Sequence, residues 1–280
     1  MELQNILESG GLLLGFFAIF FIGKIVNDKL HPEYNIQEEL VEKDNPALAL
    51  TLTGYYFGLV LTIGGALSGE TNGFMQDVKD LVLYGVSGIV LLNASWFLCD
   101  KIILPYCNVS TELIAKQSLS VGAIAAACSI ASGFILFGAI QGDGSFLTMV
   151  AYWAIGQCLL ILAAKLYNVI TPFDIHSEIQ KNNLAVGIST AGVIVSIGTL
   201  IGLAAEGDFE SWSESLSSYI VYAVLGLVLI PIIRMLADYI LLPGASLTDE
   251  LVNQEIPNIG AAYIEAFSYI AAAFAIYWCV

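Results

Sequence analysis

The chain has 280 residues, 58% hydrophobic and only 12% charged, with a mean hydropathy of +0.80. Soluble domains carry about a quarter charged residues, so this composition excludes an ordinary water-soluble protein and points to a membrane. A formal charge of −16, from 9 basic and 25 acidic residues, also argues against nucleic acid or an anionic lipid surface as partner, since both need clustered Lys and Arg.

A helix needs roughly 20 mainly apolar residues to cross a bilayer. Runs of that kind predict eight spans, at 6–25, 46–67, 81–98, 119–140, 146–166, 184–205, 219–242 and 256–280. The alternating segments of a membrane β-barrel are absent, so the backbone is expected to satisfy itself in helices. The start, MELQNILESGG, has no basic region, and the first span is expected to be retained as part of the fold. Lys24, Lys29, Lys43, Lys101, Lys116, Lys165, Lys181 and Arg234 fall at the connections after the first, third, fifth and seventh spans, with Lys79 alone opposite. The positive-inside rule then predicts cytoplasmic connections there and both termini outside. The outer side is acidic, with Glu2, Glu8, Glu70, Asp77, Asp80, Asp143, Glu206, Asp208, Glu210 and Glu214.

KDNPALALT (43–51) recurs 138 positions on as KNNLAVGIS (181–189), and residues 98–123 align on 236–261 at the same offset. The expected architecture is all-α, a polytopic membrane protein of two parallel four-helix repeats, 1–142 and 143–280. A finer period predicts four hairpins: Pro32, Pro105, Pro172 and Pro243 each end a helix, and Lys43, Lys116, Lys181 and Gln254 follow. Glu39 and Lys43, like Glu112 and Lys116, are four apart, and Glu178 and Lys181 three apart, which suits one helical turn before the membrane. Arg234 is expected to pair with Asp238 one turn on.

The pattern Asn-x-Ala-x6-Gly stands at Asn45, Ala47, Gly54 and again at Asn183, Ala185, Gly192. It resembles the YjfL-like family of small bacterial membrane proteins, a domain of unknown function. The resemblance implies two four-helix units fused in a bacterial cytoplasmic (inner) membrane, and carries no activity with it. A weaker echo has Ser118 and Ser120 in one half and a displaced Asn258 in the other.

In lipid, small residues let helices approach. Gly54/Gly58, Gly65/Gly69 and Gly198/Gly202 sit on even spans, and the eighth has AAAFA, whereas the first reads LLLGFFAIFFIG. Even spans are therefore expected at the centre and odd spans against lipid. Asn45 and Asn183 are either helix caps or part of a polar vestibule favouring an anion. Glu265 lies roughly 13 Å into the eighth span by helical rise. A carboxylate at that depth is a functional suspect, either protonated, bonded to Tyr269 one turn on, or facing a second subunit. Its repeat counterpart is Ala127. Asn93, Gln157 and Tyr55 are expected to bond between helices, and Pro231 to kink the seventh.

Cys99, Cys107, Cys128, Cys158 and Cys279 form no CxxC and have no His at metal spacing, so free packing thiols and no metal are expected. His31 and His176 read as surface loop residues. No nucleotide, hydrolase or zinc motif occurs, which predicts a non-enzyme without cofactor. Two functional readings stay open. One is a channel-like or transporter-like protein for a small solute or ion, with Glu265, Asn45 and Asn183 as site residues. The other is a scaffold whose acidic loops, PEYNIQEELVEKDN (32–45) and PGASLTDELVNQE (243–255), dock cytoplasmic partner proteins while the bundle anchors in the lipid bilayer or forms a homo-oligomer. A hydrated cavity reaching Glu265 would favour the first, and even helices closed by their glycines the second.

Overall fold

The computed structural model describes residues 2–69, 71–142, 144–206, 209 and 211–279. Its helices are α1 Glu2–Leu30, α2 Pro46–Ser68, α3 Phe74–Leu98, α4 Val109–Ile114, α5 Leu119–Gln141, α6 Phe146–Ile170, α7 Ile175–Gln180, α8 Leu184–Ala204, α9 Trp212–Leu236 and α10 Ile259–Cys279, and no strand occurs among the described residues. All but the short α4 and α7 are long and apolar enough to cross a membrane, which makes the chain a multi-pass, all-helical membrane protein. Several spans outrun their apolar windows. α1 continues to Leu30, and α3 and α9 each run on through one π-helical turn, Cys99–Ile103 and Ala237–Leu241.

Four helical hairpins follow one another, each with a longer connection at the same end of the bundle. The descending rods end at Leu30, Ile103, Ile170 and Leu241, each two residues before the proline of its connection. The residue preceding proline is pushed out of the helical region by the ring, so the sequence sets these stops directly. Leu104 and Leu242, the pre-proline residues after the two π turns, adopt non-helical φ, ψ of −114°, 50° and −120°, 62°.

The spans pack in two layers. In the inner row α2 lies on α5, α5 on α8, and α8 on α10; the outer layer runs α1, α3, α6, α9. Glycine closes the inner row to backbone contact. A Cβ on Gly58 would stand 2.5 Å from the Ser129 carbonyl oxygen, and one on Gly122 2.7 Å from that of Ala47. Gly138 and Gly202 meet in the same way across the join between the two halves, with Gly138 against the Gly202 carbonyl and Gly202 against that of Phe134. Close approach of this kind is the main source of helix association where lipid removes the hydrophobic drive. The most apolar windows of α5 and α8 are 83% buried, against 11% for α1, as expected for central even and peripheral odd spans. The eighth span departs from that expectation: α10 is only 33% buried, since beside α8 it packs chiefly on α9, whereas α2 at the other end of the row is flanked by both α1 and α3 and is 56% buried; Tyr263 and Phe267 of α10 stay exposed.

Polar groups within the spans bond between helices. Asn93 Nδ2 donates to Tyr55 Oη at 2.9 Å, and that hydroxyl donates to the Gly23 carbonyl at 3.1 Å. Gln157 Nε2 donates to Ser132 Oγ at 3.1 Å, and Trp153 Nε1 to Ser95 Oγ at 2.8 Å. α9 runs unbroken through Pro231.

Candidate functional site

The connections share one device. Asn45 Oδ1 accepts from the amides of Ala47 and Leu48, both at 3.1 Å, while its Nδ2 donates to Glu39 Oε2 and to the Leu113 carbonyl, both at 2.9 Å. Asn183 repeats this, with Oδ1 on Val186 N at 3.2 Å and Nδ2 on Glu178 Oε2 at 3.0 Å and the Leu251 carbonyl at 2.9 Å. Each caps its span and ties it to the next hairpin. Both are buried and their amides are fully engaged, so neither offers a group to a vestibule ligand. The apparently degraded echoes are complete as structure: Ser118 Oγ caps α5 through Val121 N, and Asn258 Oδ1 caps α10 through Ala261 N. The residue before three of the caps has positive φ, Asp44 at 49°, Gln117 at 48° and Asn182 at 58°, which turns the chain sharply into the span.

The glutamates Glu39, Glu112 and Glu178 are bonded to Lys43, Lys116 and Lys181 at 2.6, 2.7 and 2.6 Å, as their spacing predicted. Burial raises the Glu39 pKa, but hydrogen bonds from Lys43 and Asn45 outweigh it and hold the carboxyl below the ordinary range.

Glu265 is fully buried, about 9 Å along α10 from Ile259 by helical rise. Its Oε1 accepts from Arg234 Nη1, from Tyr167 Oη at 3.0 Å and from Tyr269 Oη at 3.1 Å, while Oε2 has no partner. Arg234 Nη2 donates to Thr248 Oγ1 at 3.3 Å, and its guanidinium lies 5.7 and 5.8 Å from the rings of Tyr167 and Phe173. The expected Arg234–Asp238 pair is therefore corrected. Asp238 faces the connection and accepts from Leu247 N at 2.5 Å, as Asp100 accepts from Val109 N at 3.3 Å. The bond from Tyr269 is as expected. Arg234 and Tyr167 are the members the sequence reading missed, although a guanidinium inside the apolar run VLIPIIRML is the counter-charge that a buried carboxylate demands.

Glu265, Asn45 and Asn183 are not brought together: the asparagines sit in separate caps, and Glu265 in the α6–α9–α10 cluster. Of the four cavities described, two of about 600 Å³ lie at opposite ends of the bundle, one against Glu8, Asp77, Asp80 and Gln141, the other against Tyr106, Lys165 and His176. A third, about 560 Å³, borders Tyr34, and a fourth of about 10 Å³ touches Tyr269 without including Glu265. The acids at the end of the bundle opposite the longer connections, where their side chains are described, engage local donors: Asp77 accepts from Thr71, Asp80 from Gln76, Glu206 from Tyr277, Glu214 from Ser211 and Glu8 from Gln4. Glu70, Asp143, Asp208, Glu210 and the Glu2 side chain lie outside the described residues.

Two smaller expectations change. His31 is buried rather than on the surface, its ring 4.1 Å from that of Trp96 and its Nδ1 3.1 Å from Glu33 Oε1. His176 stays partly exposed, edge-on to Tyr106. All five cysteines are free, but Cys158 and Cys279 are exposed rather than packed.

Comparison with known proteins agrees with this duplicated architecture. The family model described as Domain of Unknown Function (DUF350) matches twice, at residues 1–140 and 143–280. A protein of Aquifex aeolicus (strain VF5) described as a UPF0719 transmembrane protein is 22% identical over 269 residues, covering 94% of this chain and 97% of that protein. No solved structure matches. The resemblance carried by Asn45, Ala47, Gly54 and Asn183, Ala185, Gly192 thus reflects true membership, and the chain belongs to the DUF350 family of membrane proteins, with two tandem copies of the domain.

Proposed function

We propose that this protein is a non-enzymatic membrane scaffold, and that its acidic connections, 32–45 and 243–255, dock partner proteins in the cytoplasm. The observation that carries this reading is the inner row itself: α2, α5, α8 and α10 touch backbone to backbone through glycine, leaving the helices that would line a pathway in contact with each other. The Arg234–Glu265 cluster supports it further, since a carboxylate paired with a guanidinium and hydrogen-bonded by two phenols is held as a packing unit. The orientation, with connections inside and termini outside in a bacterial inner membrane, rests on the Lys and Arg bias.

Proteoliposomes loaded with a pH-sensitive dye test the reading. Under an imposed potassium gradient, wild type and Glu265→Gln are both expected to leak no faster than empty vesicles. Proton or cation flux in the wild type that Glu265→Gln abolishes would overturn the scaffold in favour of transport. Docking is read by replacing the exposed Glu42 and Glu255 with Lys, which is expected to release bound partners at unchanged melting temperature.

A further inference from the structure

Cys99, in the π turn that ends the α3 rod, places its Sγ 2.7 Å from Cys128 Sγ on α5, and the two residues are 3% and 2% exposed. The positions 138 residues on, Ala237 and Ala266, are buried as well, so a methyl group is enough to fill this place between the layers in the second half. The thiols therefore add something that packing does not require. A disulfide needs its sulfurs about 2.05 Å apart, which a sub-ångström approach of these two would reach. The other cysteines lack such a neighbour: Cys107 Sγ donates to the Leu104 carbonyl at 3.7 Å, with its thiol pushed up to about 11 by burial, and Cys158 and Cys279 are exposed on their helices.

We infer that Cys99 and Cys128 form an oxidation site that closes to a disulfide when a small, membrane-permeant peroxide reaches it. One sulfur attacks a peroxide oxygen and the O–O bond breaks; the thiol proton leaves with the departing hydroxide as water, and a sulfenic acid remains. The second sulfur then displaces the sulfenic hydroxyl, which takes the second thiol proton and leaves as water. Two thiols and one hydrogen peroxide give one disulfide and two waters, with two electrons passing from sulfur to oxygen. The close packing selects the oxidant by size, because thiol–disulfide exchange would require a larger molecule to align with a sulfur inside the bundle. The bond would close a loop over residues 100–127, which includes α4 and the Leu113 carbonyl that Asn45 grips.

The test uses the full chain in lipid nanodiscs treated with hydrogen peroxide, followed by peptide mapping without reduction. A Cys99–Cys128 linked peptide, lighter by two hydrogens, is expected in wild type and in neither Cys99→Ala nor Cys128→Ala. In Cys128→Ala, sulfenic acid is expected to persist at Cys99 and to be captured by dimedone added as the peroxide-treated protein is denatured. Both variants carry the alanine found in the second half, and melting of the untreated proteins checks that they fold. Peroxide that oxidises Cys158 or Cys279 while Cys99 and Cys128 stay thiols would overturn the inference, as would separate sulfinic acids at the two sites.

Discussion

The two halves solve the same packing problem with different chemistry. Where the second half buries Arg234 against Glu265, the repeat positions in the first half are Trp96 and Ala127, and Trp96 packs on the ring of His31. Where the first half sets Cys99 on Cys128, the second has Ala237 and Ala266. The capping asparagines are nearly identical in both. The shared backbone is therefore held by caps, prolines and glycines, and the layer between α9 and α10 is free to carry charge that the fold itself does not need.

The most severe way to break this comparison is Arg234→Met. It strands Glu265 as an uncompensated buried charge and is expected to cost about 3–5 kcal/mol in denaturant unfolding in micelles. Adding Glu265→Ala, the residue of the first half, should restore most of that loss; no recovery would mean that the second half depends on the ion pair itself. Next comes Gly138→Ala, whose methyl would run into the Gly202 carbonyl where the halves join, with an expected loss of about 1–3 kcal/mol. Gly10→Ala, with nothing within 4 Å of its added Cβ, should be neutral or stabilise by up to about 1 kcal/mol. Asn45→Ala and Asn183→Ala should each cost about 1–2 kcal/mol, since their Nδ2 bonds to glutamate and to the next connection correspond, with Asn45 capping two amides where Asn183 caps one. A larger loss at Asn183 would show that the second half bears more of the stability than its geometry implies.

The smallest effect is a pH dependence. The Glu39 carboxyl has a lower pKa folded than unfolded, so its contribution is present above the ordinary carboxylate pKa and is lost as pH falls through the folded value. The melting difference between wild type and Glu39→Gln should be full at neutral pH, worth under about 1 kcal/mol with Lys43 half-exposed, and should shrink as the pH falls below the ordinary carboxylate range.

What was legible in the sequence is what local chemistry decides. The eight spans, the prolines that stop their helices, the asparagine caps and the Glu–Lys pairs follow from residues within a few positions of one another. Contacts set by packing were not legible. Asp238 is one turn from Arg234, yet the guanidinium turns to a carboxylate 31 positions away, because a buried acid needs it more than an acid at the connection does. His31 looked like a loop residue until the α3 rod brought Trp96 against it, and Cys99 and Cys128 are separated by a whole connection. The low burial of α10 follows from its having chiefly α9 beside it in the outer layer where α2 has α1 and α3, which no residue pattern within the helix announces.

Each cap is also tied by its own backbone amide to the carbonyl of its glutamate: Asn183 to Glu178, Asn45 to Glu39, Ser118 to Glu112 and Asn258 to Glu250. Five, six, six and eight positions separate these partners, yet the bond is kept at 3.0, 2.9, 3.0 and 2.8 Å. A stretch anchored at both ends can gain residues without shifting the register of the rods it joins, so these segments are where the chain tolerates insertion and where related sequences are free to differ in length.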